Sequence, residues 1–157
     1  MKLAYQGEPG AYSEAAARLF GGPDVDTLPC KSFDDVFLAV EQGRATHGVV
    51  PLENSVGGTI HRNYDLLLEH ELPITAEVQL DVAHCLQALP GTALKDVRIV
   101  YSHPQALAQC EKYLKSLGVQ VEAVYDTAGG AKLVAEQRLA GAAALASRRA
   151  AEVYGLE

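Results

Sequence analysis

The sequence has no long run of apolar residues, and it is poor in positive charge. Its longest apolar stretch falls well short of the ~20 residues that a membrane-spanning helix needs, and residues 1–7 (MKLAYQG) contain no apolar core of a signal peptide. We therefore expect no membrane partner, no secretory signal and a cytoplasmic location. The 13 Lys and Arg are outnumbered by 20 Asp and Glu, giving a net charge of −7. A chain with this charge repels the phosphate backbone, so we also expect no nucleic-acid partner.

The chain also lacks the motifs of several common sites. It has three cysteines and no C-x-x-C pair, which predicts reduced thiols packed as small apolar side chains. Four of the five histidines show no ligand spacing with Cys, Asp or Glu, so we expect no metal. The patterns G-x-G-x-x-G, G-x-x-x-x-G-K-[ST] and G-x-S-x-G are absent. Their absence argues against a nucleotide fold and against acyl-enzyme chemistry.

What the chain does contain is a repeated strand–turn–helix pattern. With 157 residues, 48% of them apolar, it can form one compact domain or two small lobes. Apolar runs predict strands at residues 2–6, 25–30, 47–51, 98–101, 119–125 and 142–145. Helical spacing predicts helices at 13–20, 32–42, 59–70, 106–117, 131–138 and 147–155. This alternation predicts an α/β fold with mostly parallel sheets and flanking helices. Residues 74–89 read as one long or bent strand that crosses between lobes.

Four small or polar turns follow predicted strands, at residues 10–13, 54–59, 102–105 and 127–130. Ligands of parallel sheets bind outside the carboxyl ends of the strands, and a helix N-terminus favours an anion. These turns contain Ser13, Thr59, Ser102 and Thr127. Taken alone, any one of these four residues could simply be a helix N-cap. Together, the four turns predict a site for a small dianion without a basic patch.

Two further features leave alternatives open. Glu53, Asn54 and Ser55 directly follow an apolar strand, and Glu53 is either a general acid with a raised pKa or a carboxylate that accepts N–H bonds from its own loop. His103, before Pro104, either stabilises a turn or contacts a ligand.

At these residues the chain resembles the prephenate dehydratase family. The resemblance is carried, in order, by residues 5–14 (YQGEPGAYSE), 50–59 (VPLENSVGGT), 102–106 (SHPQA), 125–131 (YDTAGGA) and 143–147 (AALAS). It implies decarboxylative dehydration of prephenate to phenylpyruvate in phenylalanine biosynthesis, without a metal or organic cofactor. It also implies a two-lobed α/β catalytic domain similar to type II periplasmic solute-binding proteins, with lobes at residues 1–75 and 76–157, and a homodimer.

The resemblance implies site residues as well. The catalytic residues it implies are Glu53, Asn54 and Ser55. The substrate-binding residues it implies are Ser13, Gly58, Thr59, Ser102, His103, Gln105, Thr127 and Ala128.

Members of this family continue past the segment that matches residues 154–157, into a Thr-Arg-Phe motif and a regulatory ACT domain. We therefore expect this chain to be a truncated catalytic domain with low activity, whose main catalytic threonine lies beyond residue 157. The alternative is a non-catalytic module of the same architecture that binds small dicarboxylates.

Overall fold

The computed structural model describes residues 1–157 and contains two compact units. The first unit comprises residues 1–7 and 12–81, and the second comprises residues 8–11 and 82–157. The short segment 8–11 therefore belongs to the second unit, although the chain on both sides of it belongs to the first. The predicted lobes, with a boundary at residue 75, stay a prediction. None of the helices is both long enough and apolar enough to cross a membrane.

The first unit is built on a parallel sheet with strand order β2-β1-β3. A short antiparallel hairpin, β4–β5, follows the sheet. The buried centre includes Ala4, Val36 and Ala39. The elements are β1 (Lys2–Gln6), α1 (Tyr12–Gly21), β2 (Asp26–Cys30), α2 (Phe33–Glu41), β3 (His47–Val49), β4 (Glu53–Asn54), β5 (Gly58–Thr59) and α3 (His61–Glu69).

Local sequence explains how α2 begins and how it packs. The Ser32 hydroxyl accepts a hydrogen bond from the Asp35 amide (3.1 Å), and the Asp35 carboxylate accepts one from the Ser32 amide (3.2 Å). This reciprocal pair satisfies two amides at the helix start, next to residue 32, where the sequence predicted the helix to begin. Gly48 lets α2 pack closely on β3, since a β-carbon there would lie 2.8 Å from Val36 Cγ1.

The second unit is a four-stranded sheet with order β6-β9-β7-β8, in which only β6 runs antiparallel to its neighbour. Its buried centre includes Val100, Leu114 and Leu145. The elements are β6 (Cys85–Ala88), a 3₁₀ turn (Leu94–Asp96), β7 (Ile99–Ser102), α4 (Pro104–Gln109), α5 (Glu111–Leu117), β8 (Gln120–Ala123), α6 (Thr127–Glu136), β9 (Ala142–Ala146) and α7 (Arg148–Tyr154).

Small residues bring α6 onto this sheet. Every residue of β9, Ala142–Ala146, is buried, and the first turns of α6 are buried along Ala128–Ala131. A β-carbon on Gly130 would lie 2.9 Å from the backbone oxygen of Tyr101 in β7. The helix therefore approaches the strand more closely than a larger residue would allow.

Several sequence predictions about strands and turns are wrong. Residues 74–89 do not form one strand, because only Cys85–Ala88 has a partner, β9, with which to make ladder hydrogen bonds. The strand predicted at 47–51 ends at Val49. The turn predicted at 54–59 instead forms most of the β4–β5 hairpin, whose two-residue strands are too short to show an alternating pattern.

The helix starts also differ from the predictions. Thr59 lies in β5, and α3 begins after Ile60. Ser13 lies inside the first turn of α1. At α4 and α6 the cap is the neighbouring residue, His103 instead of Ser102 and Asp126 instead of Thr127. The helix predicted over 106–117 is interrupted at Cys110, and residues 127–130 are the first turn of α6 rather than a free turn.

Candidate functional site

The hairpin β4–β5 presents the three predicted catalytic residues of the first unit. The Asn54 side-chain oxygen accepts hydrogen bonds from the amides of Val56 (2.9 Å) and Gly57 (2.8 Å). Gly58 has φ +77°, a left-handed conformation that closes the turn. Asn54 thus shapes the tip and keeps its NH₂ group as a donor, and Ser55 is exposed beside it.

Glu53 is exposed, and its carboxylate is held by a helix rather than by its own loop. Glu53 Oε1 accepts a hydrogen bond from the Tyr64 hydroxyl of α3 at 3.4 Å. The loop amides bond to Asn54 instead. Desolvation, and then the negative charge of Glu53, raise the pKa of Tyr64 above its ordinary value, which keeps the phenol protonated as a donor. Nothing in the sequence pointed to Tyr64, which has the pattern of an ordinary residue in an amphipathic helix.

Thr59 and Ser13 occupy different places in the first unit. Thr59 pairs directly with Glu53 across the hairpin and is exposed. Ser13 is half-buried in the first turn of α1, which follows β1. Because β1 and β3 are parallel neighbours, α1 and the hairpin both follow the same edge of that sheet. The structure therefore brings Glu53 and Thr59 together and places Ser13 on a neighbouring connection.

In the second unit, the carboxyl ends of β7, β8 and β9 lie at one edge, because these neighbouring strands are parallel. His103 follows β7 at this edge, and its Nδ1 accepts a hydrogen bond from the Gln105 amide (3.2 Å). In neutral His103 the proton is then on Nε2, so that atom can donate to a ligand. His103 therefore caps the helix and keeps a donor, and both sequence readings of it are compatible with the geometry. The Gln105 side chain is exposed.

Other predicted residues of this edge are engaged inside the fold. Ser102 is fully buried, and its hydroxyl donates to the Leu145 carbonyl at 2.5 Å. Ala128 is also fully buried. Thr127, the first residue of α6, is half-buried. The binding roles of these three residues stay predictions.

The segment 8–11, which the sequence suggested only as a turn, is bound to this same edge. The Glu8 amide donates to Asp126 Oδ2 (2.9 Å), and the other oxygen of Asp126 caps α6 by accepting from the Gly129 amide (3.1 Å). The Ser147 hydroxyl donates to the Gly10 carbonyl at 2.6 Å. One amide at the start of α6, that of Gly129, is thus already bonded to a side chain of the protein itself, and the anion site predicted from the sequence stays a prediction.

Glu8 forms an ion pair and a further side-chain hydrogen bond at this edge. Its carboxylate accepts hydrogen bonds from the Tyr125 hydroxyl and from Lys132 Nζ, each at 3.0 Å. Desolvation and then Glu8 raise the pKa of Tyr125 to about 12, and the hydrogen bond to Glu8 raises the pKa of Lys132. Tyr125 and Lys132 each lie more than a hundred positions from Glu8 in the chain, so sequence spacing could not have revealed these two contacts.

The arrangement of the possible metal ligands and of the thiols is as follows. Over residues 1–157, no group of three or more His, Cys, Asp or Glu is placed to hold a metal ion. The three cysteines are free, and burial raises the pKa of Cys30 and of Cys110. A raised pKa keeps a thiol protonated and weakens it as a nucleophile.

Comparison with known proteins decides the family. The family model described as prephenate dehydratase matches residues 3–157. The chain belongs to the prephenate dehydratase family. The resemblance inferred from the sequence motifs is thereby confirmed.

Several similar curated proteins come from plants. The chain is 56% identical to arogenate dehydratase/prephenate dehydratase 6, chloroplastic, of Arabidopsis thaliana, over 100% of the chain and 38% of that protein. It is 55% identical to arogenate dehydratase 1 of Petunia hybrida, over 100% of the chain and 37% of that protein. The chain thus spans less than two-fifths of the length of these two relatives.

Solved structures support the predicted fold class. A chain described as "GqqA- a novel type of quorum quenching acylases" superimposes with a TM-score of 0.92 at 40% identity, over 100% of this chain and 57% of that one. Prephenate dehydratase from Arthrobacter aurescens in complex with L-Phe superimposes with a TM-score of 0.91 at 27% identity, over 100% of this chain and 54% of that one. The α/β prediction with mostly parallel sheets is therefore confirmed.

Proposed function

We propose that the chain contributes active-site residues to a prephenate dehydratase, which converts prephenate to phenylpyruvate, water and carbon dioxide. The observation that carries this proposal is the family match over residues 3–157. The positions of Glu53, His103 and Gln105, which follow carboxyl ends of parallel strands, support it. Arogenate is the second substrate to consider, because the names of the relatives include both activities.

The chemistry requires one proton and firm positioning. Prephenate carries two carboxylates and a ring hydroxyl. An acid protonates the hydroxyl, the C–O bond breaks, and water leaves. The bond to the ring carboxylate breaks as carbon dioxide departs, and its electron pair completes the aromatic ring. Because aromatisation drives the reaction, one moderately strong acid and a rigid site suffice.

Each unit contributes a different kind of group to this proposal. In the first unit, Glu53 is the candidate acid, the Asn54 NH₂ and the hydroxyls of Ser55 and Thr59 are neutral donors, and Gly58 shapes the turn. In the second unit, His103 Nε2 and the Gln105 amide are donors for a substrate carboxylate. Neutral donors that are fixed before binding stabilise a dianion without the lysine cluster that the chain lacks. Ser13, Ser102, Thr127 and Ala128 complete the proposed set, and the meeting of the two groups of residues stays a prediction.

A non-catalytic dicarboxylate-binding module is the first alternative. Thermal unfolding of the full-length gene product, measured with and without prephenate, and an assay for phenylpyruvate separate it from the enzyme. The proposed function predicts both stabilisation and product. Stabilisation without product supports the binding module, and the absence of both responses overturns both functions.

An acylase is the second alternative, favoured by the 40% identity to the chain described as a quorum quenching acylase. Such chemistry needs an activated nucleophile. Yet the hydroxyls of Ser102 and Ser147 donate to backbone carbonyls, which engages the two serines at the edge that carries His103. Hydrolysis of an acyl amide by the protein, in the same preparation that leaves prephenate unchanged, would favour the acylase.

A donor in the second unit provides a test of substrate binding. Gln105→Ala removes an exposed amide beside His103, and we expect KM for prephenate to rise about tenfold, the cost of one hydrogen bond to a charged group. Gln120→Ala, which changes an exposed glutamine at the amino end of β8, is the matched control and should leave KM unchanged. Equal effects of the two substitutions would remove Gln105 from the site.

Location and assembly remain parts of the proposal. We expect a cytoplasmic homodimer, whereas the names of several relatives carry the word chloroplastic. Imaging of the tagged gene product in its own cells tests the location. Light scattering of the full-length product tests the dimer, and a stable monomer at micromolar concentration would contradict it.

A further inference from the structure

The hairpin that carries Glu53 is too short to hold its own geometry. Each of its strands has two residues, with Glu53 opposite Thr59 and Asn54 opposite Gly58. Even a hairpin of ordinary length is only marginally stable in water. A carboxyl group that takes part in proton transfer must nevertheless be held within a fraction of an ångström of its working position. The support for Glu53 must therefore come from outside the hairpin.

The start of α3 supports the backbone that leads into the hairpin. The Asn63 side-chain NH₂ donates to the Pro51 carbonyl at 2.7 Å, and the Ile60 amide donates to the Leu52 carbonyl at 2.9 Å. Asn63 is completely buried, so water does not compete for its bond to Pro51. These two contacts fix the two residues directly before Glu53.

Tyr64, which follows Asn63 in α3, contacts Glu53, which follows Leu52 in the chain. The Tyr64 hydroxyl donates to Glu53 Oε1 at 3.4 Å. Tyr64 is 39% exposed, so core packing does not require its hydroxyl to be there. A bond to Oε1 limits the rotation of the carboxyl group and leaves Oε2 for contact with the substrate.

We propose that Tyr64 is a positioning residue for the dehydration, acting through Glu53 and not through the substrate. This inference rests on the proposed function. Two contacts from α3 and one from Ile60, the residue before it, reach residues 51, 52 and 53, and so fix the backbone before Glu53 and then its carboxyl group. Loss of the Tyr64 hydroxyl lets the Glu53 side chain sample unproductive rotamers and lowers kcat, while substrate binding is retained.

A double-substitution cycle tests this role in the full-length gene product. Tyr64→Phe should lower kcat for phenylpyruvate formation about tenfold, as expected for a misplaced acid, with KM within about twofold. In a Glu53→Gln background the same substitution should change kcat by less than about twofold, because the group that it positions is gone. Tyr113→Phe, at an exposed tyrosine of α5, is the matched control and should leave kcat and KM unchanged.

Each other outcome of the cycle overturns a specific statement. An equal fall in kcat in both backgrounds means that Tyr64 does not act through Glu53, and the inference is wrong. A rise in KM in both backgrounds means that Tyr64 touches the substrate, which also contradicts it. If the unsubstituted protein forms no phenylpyruvate, the proposed function itself fails, and the inference fails with it.

The contact can be tested without any activity. NMR titration of ring-labelled tyrosine, with Tyr64→Phe used to assign the signal, follows the ionisation of the phenol. Glu53→Gln should let Tyr64 ionise at lower pH, since the neighbouring negative charge is removed. An unchanged titration shows that the two side chains do not interact and overturns the inference even in an active enzyme.

Discussion

Two buried hydroxyl groups of the second unit, those of Ser147 and Tyr154, differ in the hydrogen bonds that they make. The Ser147 hydroxyl makes two contacts: it donates to the Gly10 carbonyl (2.6 Å) and accepts from the Ala150 amide (3.0 Å). The Tyr154 hydroxyl is buried and has no hydrogen-bond partner. The sequence predicted a helix that begins at residue 147, but the bond of Ser147 to Gly10 joins residues 137 positions apart and could not be predicted.

We expect Ser147→Ala to lower the free energy of unfolding by about 1–3 kcal/mol, because it removes both a helix cap and a buried hydrogen bond to the Gly10 carbonyl. Tyr154→Phe is the matched control. It removes a hydroxyl that makes no bond, so we expect a change between zero and a gain of about 1 kcal/mol. Urea unfolding measures both, and a loss for Tyr154→Phe as large as that for Ser147→Ala would contradict this account.

At the scale of helices and strands, sequence analysis succeeded where an element carries its own signal. Ser32 and Ser147 begin helices as predicted, and β1 and α2 lie where punctuation and spacing place them. It failed where a partner decides the structure. Residues 74–84 alternate in polarity but pair with no strand. Each strand of the hairpin that presents Glu53 has only two residues, too few to show a repeating pattern. The catalytic candidates were found through motifs, whereas Tyr64 required the fold.

The end of α6 contains the one residue other than glycine with positive φ among residues 1–157, Arg138 at +49°. It follows the Gln137 cap, and the Leu139 amide donates to the Val134 carbonyl (3.1 Å), a hydrogen-bond pattern that usually places glycine at that position. We expect Arg138→Gly to raise the free energy of unfolding by about 0.5–1 kcal/mol, because glycine relieves the left-handed strain.

The reverse substitution at another helix end is the control. Gly118 follows α5 with φ +66°, and a β-carbon there would meet no atom within 4 Å. Gly118→Ala should therefore cost about 1 kcal/mol through backbone conformation alone. If both substitutions are neutral in thermal unfolding, backbone strain does not limit these helix ends.

Adjacent glycines of α6 should respond differently to alanine. A β-carbon on Gly130 would lie 2.9 Å from the Tyr101 carbonyl, so Gly130→Ala pushes the helix off β7 and should cost about 1–3 kcal/mol. A β-carbon on Gly129 would meet the Tyr125 ring at 2.6 Å, and that exposed side chain can move. Gly129→Ala should therefore change stability little and separate Tyr125 from Glu8. Equal losses in urea unfolding would contradict the difference.

For the whole molecule, we expect the free energy of unfolding to fall at alkaline pH, because phenol and ammonium groups with raised pKa values lose their protons there. The pKa of Tyr125 is raised from 10.0 to about 12, and those of Tyr154 and Lys132 are also raised. A group whose folded pKa is raised stabilises the fold below its unfolded pKa and loses that contribution as pH rises. The free energy of unfolding should therefore fall between pH 10 and about 12. In Tyr125→Phe the fall should be shallower, and an identical slope in urea unfolding would contradict the assignment.

The central claim is that Glu53 takes part in the proton transfer by which prephenate loses its ring hydroxyl. The most direct measurement is the rate of phenylpyruvate formation at saturating prephenate by the full-length gene product and by its Glu53→Gln variant. Glu71→Gln, an exposed glutamate outside the helices and strands, is the control for the change of charge. The account predicts a fall of about 10²–10⁴-fold for Glu53→Gln and none for Glu71→Gln. Equal rates for the unsubstituted protein and Glu53→Gln would contradict it.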